Sequence, residues 1–240
     1  MSKIHNETDM YSPVKLHLEN LGFVVSAEVR GCDIVATCAD LVTVVELKRT
    51  FNLKLVYQGL KRQTLTELTF LCVPRPKNTR SSSYKNMVRL VQRLGLGLMF
   101  VTMDSPLMKV ETVVTPNYNG RTNSTALSKL LNEAAGRKVG TNIGGSVRTK
   151  LNTAYRERSI RIACAIEAFG ELSAKQLVHT YGCENDARSI MYTNVYGWFE
   201  RARKGVYILS QAGREFLNTD THFEEVIKYY RKFFKNFASL

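Results

Sequence analysis

The chain has 240 residues, is 44% hydrophobic and carries a formal charge of +13, so it can build a proper core as one large or two small domains, and its surplus points to a polyanionic partner, nucleic acid foremost. Five scattered cysteines (Cys32, Cys38, Cys72, Cys164, Cys183) without a CxxC pair argue against a disulfide framework and structural zinc and fit a reducing cytoplasm. No apolar run approaches the roughly 18 residues of a membrane span, and Glu7 and Asp9 stand where a secretory leader would be basic and then apolar.

In chain order, residues 9–21 read as a helix, with Pro13 in its first turn and Gly22 at its end. Phe23 to Val29, Asp33 to Cys38 and Thr43 to Lys48 read as three strands with short turns between them, an antiparallel meander. Residues 53–68 repeat apolar positions at helical spacing (Leu53, Val56, Leu60). A buried strand at 70–74, a helix at 82–94, and strands at 96–102 and 108–114 follow. The order α-β-β-β-α-β-α-β predicts an α/β domain over 1–116, a mixed sheet covered by helices on both faces.

Residues 117–150 change character. They hold six basic residues against one acidic, the densest positive stretch of the chain, and predict a basic linker or arm with a short helix at 125–135. Beyond it, helices are expected at 154–168, 173–181 (capped by Ser173) and 184–201. A strand at 205–209 and a helix starting near Gln211 come next. Three helices and a β ribbon read as a winged helix-turn-helix, closed by an amphipathic tail over 222–238 whose apolar face suits a core or a dimer contact. The expected division is therefore 1–116, 117–150 and 151–240.

Candidate chemistry sits in the meander. Side chains alternate along a strand, so Val44, Glu46 and Lys48 share one face. On spacing alone, a Glu-x-Lys pair is an ordinary solvated ion pair. Here the flanking residues are heavily apolar, and buried charges need partners or a task. Asp33 opens the neighbouring strand, and the short connection can bring it near Glu46. Two converging carboxylates can hold a hard cation, and a lysine beside them can position a water or neutralise a phosphate.

Asp33 followed by Glu46-Leu47-Lys48 resembles the signature of the PD-(D/E)XK superfamily, the restriction-endonuclease-like fold. The closer resemblance is to the DUF2161-type bacterial family of PD-(D/E)XK phosphodiesterases. It is carried by Asp9-Met10-Tyr11-Ser12-Pro13-Val14-Lys15, Gly31-Cys32-Asp33-Ile34-Val35-Ala36, Val45-Glu46-Leu47-Lys48, Phe51-Asn52-Leu53 and Gln58. It resumes at Gly144-Gly145-Ser146, Thr153-Ala154-Tyr155-Arg156 and Tyr196-Gly197-Trp198-Phe199-Glu200-Arg201. The chain departs from the superfamily pattern at Cys32, where proline is usual.

The resemblance implies that Asp33 and Glu46 ligate Mg²⁺ or Mn²⁺ with the carbonyl of Leu47. It implies that Lys48 orients the attacking water and stabilises the phosphate, and that Gln58 is an accessory polar residue. Glu7, Asp9, Glu19 and Glu28 are further carboxylates, with Glu28 and Asp9 favoured among them. In the C-terminal part, Arg188, Tyr192 and Asn194 can meet base edges or phosphates, and Arg201, Arg203 and Lys204 suit a wing on the backbone. Arg148 and Lys150, beside Gly144-Gly145-Ser146, are candidate phosphate contacts. The expectation is a cytoplasmic, Mg²⁺-dependent nuclease on double-stranded DNA, with a homodimer as the candidate assembly. The alternatives are a non-cleaving DNA-binding regulator and a nuclease for RNA or branched DNA.

Overall fold

A computed structural model describes residues 4–104, 107–146 and 150–237. The chain forms two compact units, Met1–Ala134 with Asn142–Leu151, and Ala135–Thr141 with Asn152–Leu240.

The first unit is built on a six-stranded mixed sheet. Strands β1 (Val24–Val29), β2 (Cys32–Cys38) and β3 (Leu41–Leu47) form the antiparallel meander. Its first turn, Arg30-Gly31, has φ of 49° and 79°, the left-handed pair that suits a two-residue hairpin to the twist of its strands. Helix α1 (Tyr11–Asn20) precedes the meander and follows a 3₁₀ turn at Glu7–Met10. Helix α2 (Leu53–Gln63) links β3 to β4 (Leu68–Pro74). Helix α3 (Ser82–Arg93) links β4 to β5 (Gly97–Asp104), and β6 (Leu107–Val114) returns alongside. Strands β3, β4 and β5 run parallel, the other pairs antiparallel, and spatial order equals chain order. The helices start where capping side chains allow: Asn52 accepts the Leu55 N–H, and Ser81 the Tyr84 N–H.

Both sheet faces are covered, as the alternating element order predicts. On one side Met10, Val14 and Leu18 pack on Ile34, Val45, Leu47 and Met99. On the other, Leu55 and Val91 pack on Leu71, Leu98 and Phe100. Double coverage explains why β3 reads as a near-continuous apolar run and why the one carboxylate within it is buried.

The segment 117–150 is divided differently from the expected single arm. Helix α4 (Ser124–Ala135) buries Leu130 against Val29, Val35, Val42 and Val44 of the meander. Residues 135–141 join the second unit, and 142–151 return to the first. The leucines of α4 outweigh the basic, polar composition around them.

In the second unit α5 (Ala154–Phe169) is capped by Thr153, and α6 (Ala174–His179) by a reciprocal Ser173–Gln176 box, as expected of Ser173. Helix α7 (Ala187–Thr193) is shorter than the expected 184–201. Asn194 ends it at φ 47°, and its amide brackets Phe199, donating to the carbonyl at 2.8 Å and accepting the N–H at 3.1 Å. The chain then enters β8 (Phe199–Arg203) and β9 (Val206–Leu209). With β7 (Leu172–Ser173) these form an antiparallel sheet of order β7-β9-β8. Helices α8 (Gln211–Thr219) and α9 (Glu224–Phe237) follow. Val226, Ile227, Tyr230 and Phe234 of α9 are buried in the unit's core with Ile160, Ala163 and Ile166 of α5, so this face is core. Among the described residues no helix is long and apolar enough to cross a membrane.

Candidate active site

The pairing register sets the site. Ile34 faces Val45 across β2–β3, and one step further the same register sets Asp33 opposite Glu46. Across β1–β2, Ala27 faces Ile34 and Val29 faces Cys32, which sets Glu28 opposite Asp33. Three carboxylates therefore cross three adjacent strands in a row. Glu28 holds φ 53°, a left-handed conformation unfavourable for a residue with a Cβ, and it is buried. Its Oε1 accepts the Ser146 N–H at 3.0 Å.

Asp33 Oδ2 accepts the Leu47 N–H at 2.8 Å. Glu46 is fully buried. Its Oε1 accepts from Arg62 Nε at 2.6 Å, and its Oε2 from Gln58 Nε2 at 3.1 Å. Gln58 and Arg62 stand four residues apart on α2, hence on one helix face. Arg62 also donates to the Gly31 carbonyl, tying α2 to the β1–β2 turn. Lys48, one residue beyond β3, places Nζ 2.7 Å from Glu7 Oε1 at the start of the 3₁₀ turn.

Burial dominates the electrostatics. It pushes the Glu46 carboxyl up to about 7, aided by the charge on Asp33, while Arg62 pulls it down. Burial also raises Asp33. The Leu47 N–H opposes that rise and Glu7 adds to it. Cys32, buried in the proline position, has its thiol pushed up to about 12 by burial, which excludes it as a nucleophile at neutral pH.

A cleft of about 410 Å³ opens onto Lys48, lined also by Glu7, Thr8, Arg49, Gly145 and Ser146. Gly144 lies so close to β2 that a Cβ there would stand 2.7 Å from the Asp33 carbonyl oxygen and 2.8 Å from Tyr11. On Gly145, at φ 79°, a Cβ would stand 2.9 Å from the Glu7 Cβ. The Gly144-Gly145-Ser146 segment is therefore packed on the carboxylate row.

Among the described residues no three His, Cys, Asp or Glu side chains stand at metal-ligand spacing. The donor types nevertheless suit a hard cation. Mg²⁺ is commonly held by one or two carboxylates while it keeps several waters. Gln58 Oε1 is buried without a hydrogen-bond partner beside Glu46, and a metal-bound water would satisfy it. Asp33, Glu46 and Gln58 are thus of the donor types that suit Mg²⁺ or Mn²⁺, while both Glu46 oxygens are engaged by Arg62 and Gln58.

Asp33, Glu46, Gln58 and Lys48 are brought to one end of the sheet, and Leu47 contributes its N–H to Asp33. Arg62 and the Glu7–Lys48 pair were not singled out in sequence; the signal for Arg62 is its i+4 relation to Gln58. Asp9, favoured above, caps its own turn. It accepts from His5 N and Asn6 N at 2.8 and 2.9 Å, and these bonds hold its carboxyl below the usual range. Glu19 makes an exposed pair with Lys15. In the second unit Arg188 and Tyr192 of α7 are exposed, Tyr192 at 82%. Asn194 is engaged with Phe199 rather than presented outward. Arg201, Arg203 and Lys204 are exposed along β8 and its turn, with Arg203 paired to Glu171. Lys150 is exposed, and Arg148 lies outside the described residues.

No curated protein and no solved structure matches the chain. A family model does match, over residues 99–216, from β5 through most of α8, a stretch that excludes Asp33, Glu46 and Lys48. The matched family, described as "putative PD-(D/E)XK phosphodiesterase (DUF2161)", is the one whose motifs this sequence resembles.

Proposed function

We propose that the chain is a metal-dependent phosphodiesterase that hydrolyses DNA at the end of the sheet where Asp33, Glu46 and Lys48 meet. The observation that carries this reading is the register that sets half-buried Asp33 opposite fully buried Glu46, both reluctant to ionise without a counter-charge. Asp33 and Glu46 would hold Mg²⁺ or Mn²⁺, with the carbonyl of Leu47 as a further oxygen. The bound cation supplies Lewis acidity to a phosphoryl oxygen and acidifies water. Gln58 fixes one Glu46 oxygen and offers its orphan carbonyl to water. Lys48, held by Glu7, can present its remaining N–H donors to the attacking water and to charge developing on the phosphate.

The second unit serves in this reading as a winged helix that delivers the catalyst to duplex DNA in the cytoplasm. The β7-β9-β8 ribbon behind three helices supports it, as do the exposed Arg188 and Tyr192 on α7 and the exposed Arg201 and Lys204 near the β8–β9 turn. A non-cleaving DNA-binding regulator is the second reading. Arg62 favours it, because its guanidinium already neutralises Glu46.

Plasmid, linear and single-stranded DNA incubated with Mg²⁺ or with EDTA test the choice. Cleavage should require the metal, disappear in Glu46→Ala and fall about 100-fold in Lys48→Ala. Cutting that survives both substitutions would place the chemistry elsewhere. Tight binding without cutting in Mg²⁺ or Mn²⁺ would favour the regulator.

A further inference from the structure

A second cleft, of about 400 Å³, lies between the C-terminal end of α2, the first turns of α4 and the β1–β2 turn. Arg30, Lys61, Arg62 and Lys129 line it, together with Thr64 and Thr125, and no carboxylate does. Arg30, Lys61 and Lys129 have no ion-pair partner among the described residues, and all three are exposed. Cations converging on one cavity repel one another unless an anion joins them. Arg62 differs from the other three. It is buried, fixed by Glu46 and the Gly31 carbonyl, and forms a rigid wall from which the cleft is built. The hydroxyl of Thr125 adds a neutral hydrogen-bonding group, while that of Thr64 already donates to the Lys61 carbonyl, and a fork of arginines with flanking lysines is the side-chain set that recognises phosphate oxygens.

We propose that this cleft is a phosphate-binding subsite, taking a phosphate of a nucleic-acid strand through Arg30, Lys61 and Lys129 against the wall formed by Arg62. The inference rests on the nucleic-acid reading above, not on hydrolysis. Arg62 separates the cleft from Glu46, so a phosphate held there is a neighbour of the one at the carboxylates and would fix the strand's register.

The test is binding of a dye-labelled single-stranded oligonucleotide by the full chain in EDTA, where no cutting occurs. The variants are Arg30→Ala/Lys61→Ala/Lys129→Ala and a control with the same charge loss on α3, Lys85→Ala/Arg89→Ala/Arg93→Ala. The cleft variant should lose at least tenfold in affinity. Its dependence of log affinity on log salt should flatten by about 2, three contacts at roughly 0.7 each. The control should change far less. Oligonucleotides with a 5′-phosphate or a 5′-hydroxyl, and competition by inorganic phosphate, separate a terminal phosphate from an internal one. Lys129→Glu alone, at an exposed position, keeps the test valid should the triple variant fold poorly, and should weaken binding at least threefold. Equal affinity and equal salt slope in folded cleft and control variants, or in Lys129→Glu and the native chain, would overturn the proposal. Because cutting is never read, loss of cleavage in Glu46→Ala and the outcome here are independent results.

Discussion

At the scale of single residues, Glu46 governs the behaviour of the site. Its carboxyl is raised from an ordinary 4.5 to about 7, chiefly by burial. The folded chain therefore keeps a proton that the unfolded chain releases, and ionised Glu46 opposes folding. The neutral form's contribution, on the order of 3 kcal/mol, is full below pH 4.5 and lost as pH rises through about 7. Arg62 limits that loss. Arg62→Met should leave a buried carboxylate uncompensated and destabilise the chain by about 3–5 kcal/mol at pH 8, with a much smaller effect at pH 5, where Glu46 is protonated. Denaturant unfolding at the two pH values measures this, and an equal loss at both would mean that Arg62 acts by packing alone. The Asp33, Glu46 and Lys48 constellation was legible because a period of two fixes which side chains share a strand face. Arg62 was not, because a basic residue on a helix reads as solvated until the helix is docked.

Among the elements, the meander and α2 carry the site together. The meander supplies the carboxylate row, and α2 lays Gln58 and Arg62 across Glu46. Strands β1 to β6 were readable from apolar runs and turn residues, and their ends differ from expectation by a residue or two. Helix α7 stops at Thr193, short of the expected 201, because Asn194, whose short amide tolerates the left-handed conformation, ends it there. The return of 142–146 to the carboxylates had only Gly144-Gly145-Ser146 as its signal, a triplet that also suits a hinge. Close packing explains the glycines. Gly144→Ala should push its Cβ into the Asp33 carbonyl and Tyr11, destabilise the first unit by about 1–3 kcal/mol and impair cleavage through displacement of β2. Unfolding and cleavage assays on one preparation check it. Native stability with native activity would show that the segment yields freely.

For the molecule as a whole, the +13 charge explains why a polyanion is expected, but its distribution decides where one would lie. The densest basic stretch of the sequence is shared between two units and is partly tied down by the leucines of α4. The cations without ion-pair partners around α2 and α4 form a cleft that no linear count of charges reveals. The family match covers the last two strands of the sheet, α4 and most of the second unit, while the carboxylates lie before it. The functional reading therefore joins a family to a site through the fold. Its central claim is that Asp33 and Glu46 hold a divalent cation together. Calorimetric titration of Mn²⁺ at pH 8 tests this most directly, comparing the native chain with Asp33→Asn and Glu46→Gln. Saturable binding that weakens at least tenfold in each folded variant is the result expected. Equal affinity in all three proteins, or no binding by the native chain, would contradict it.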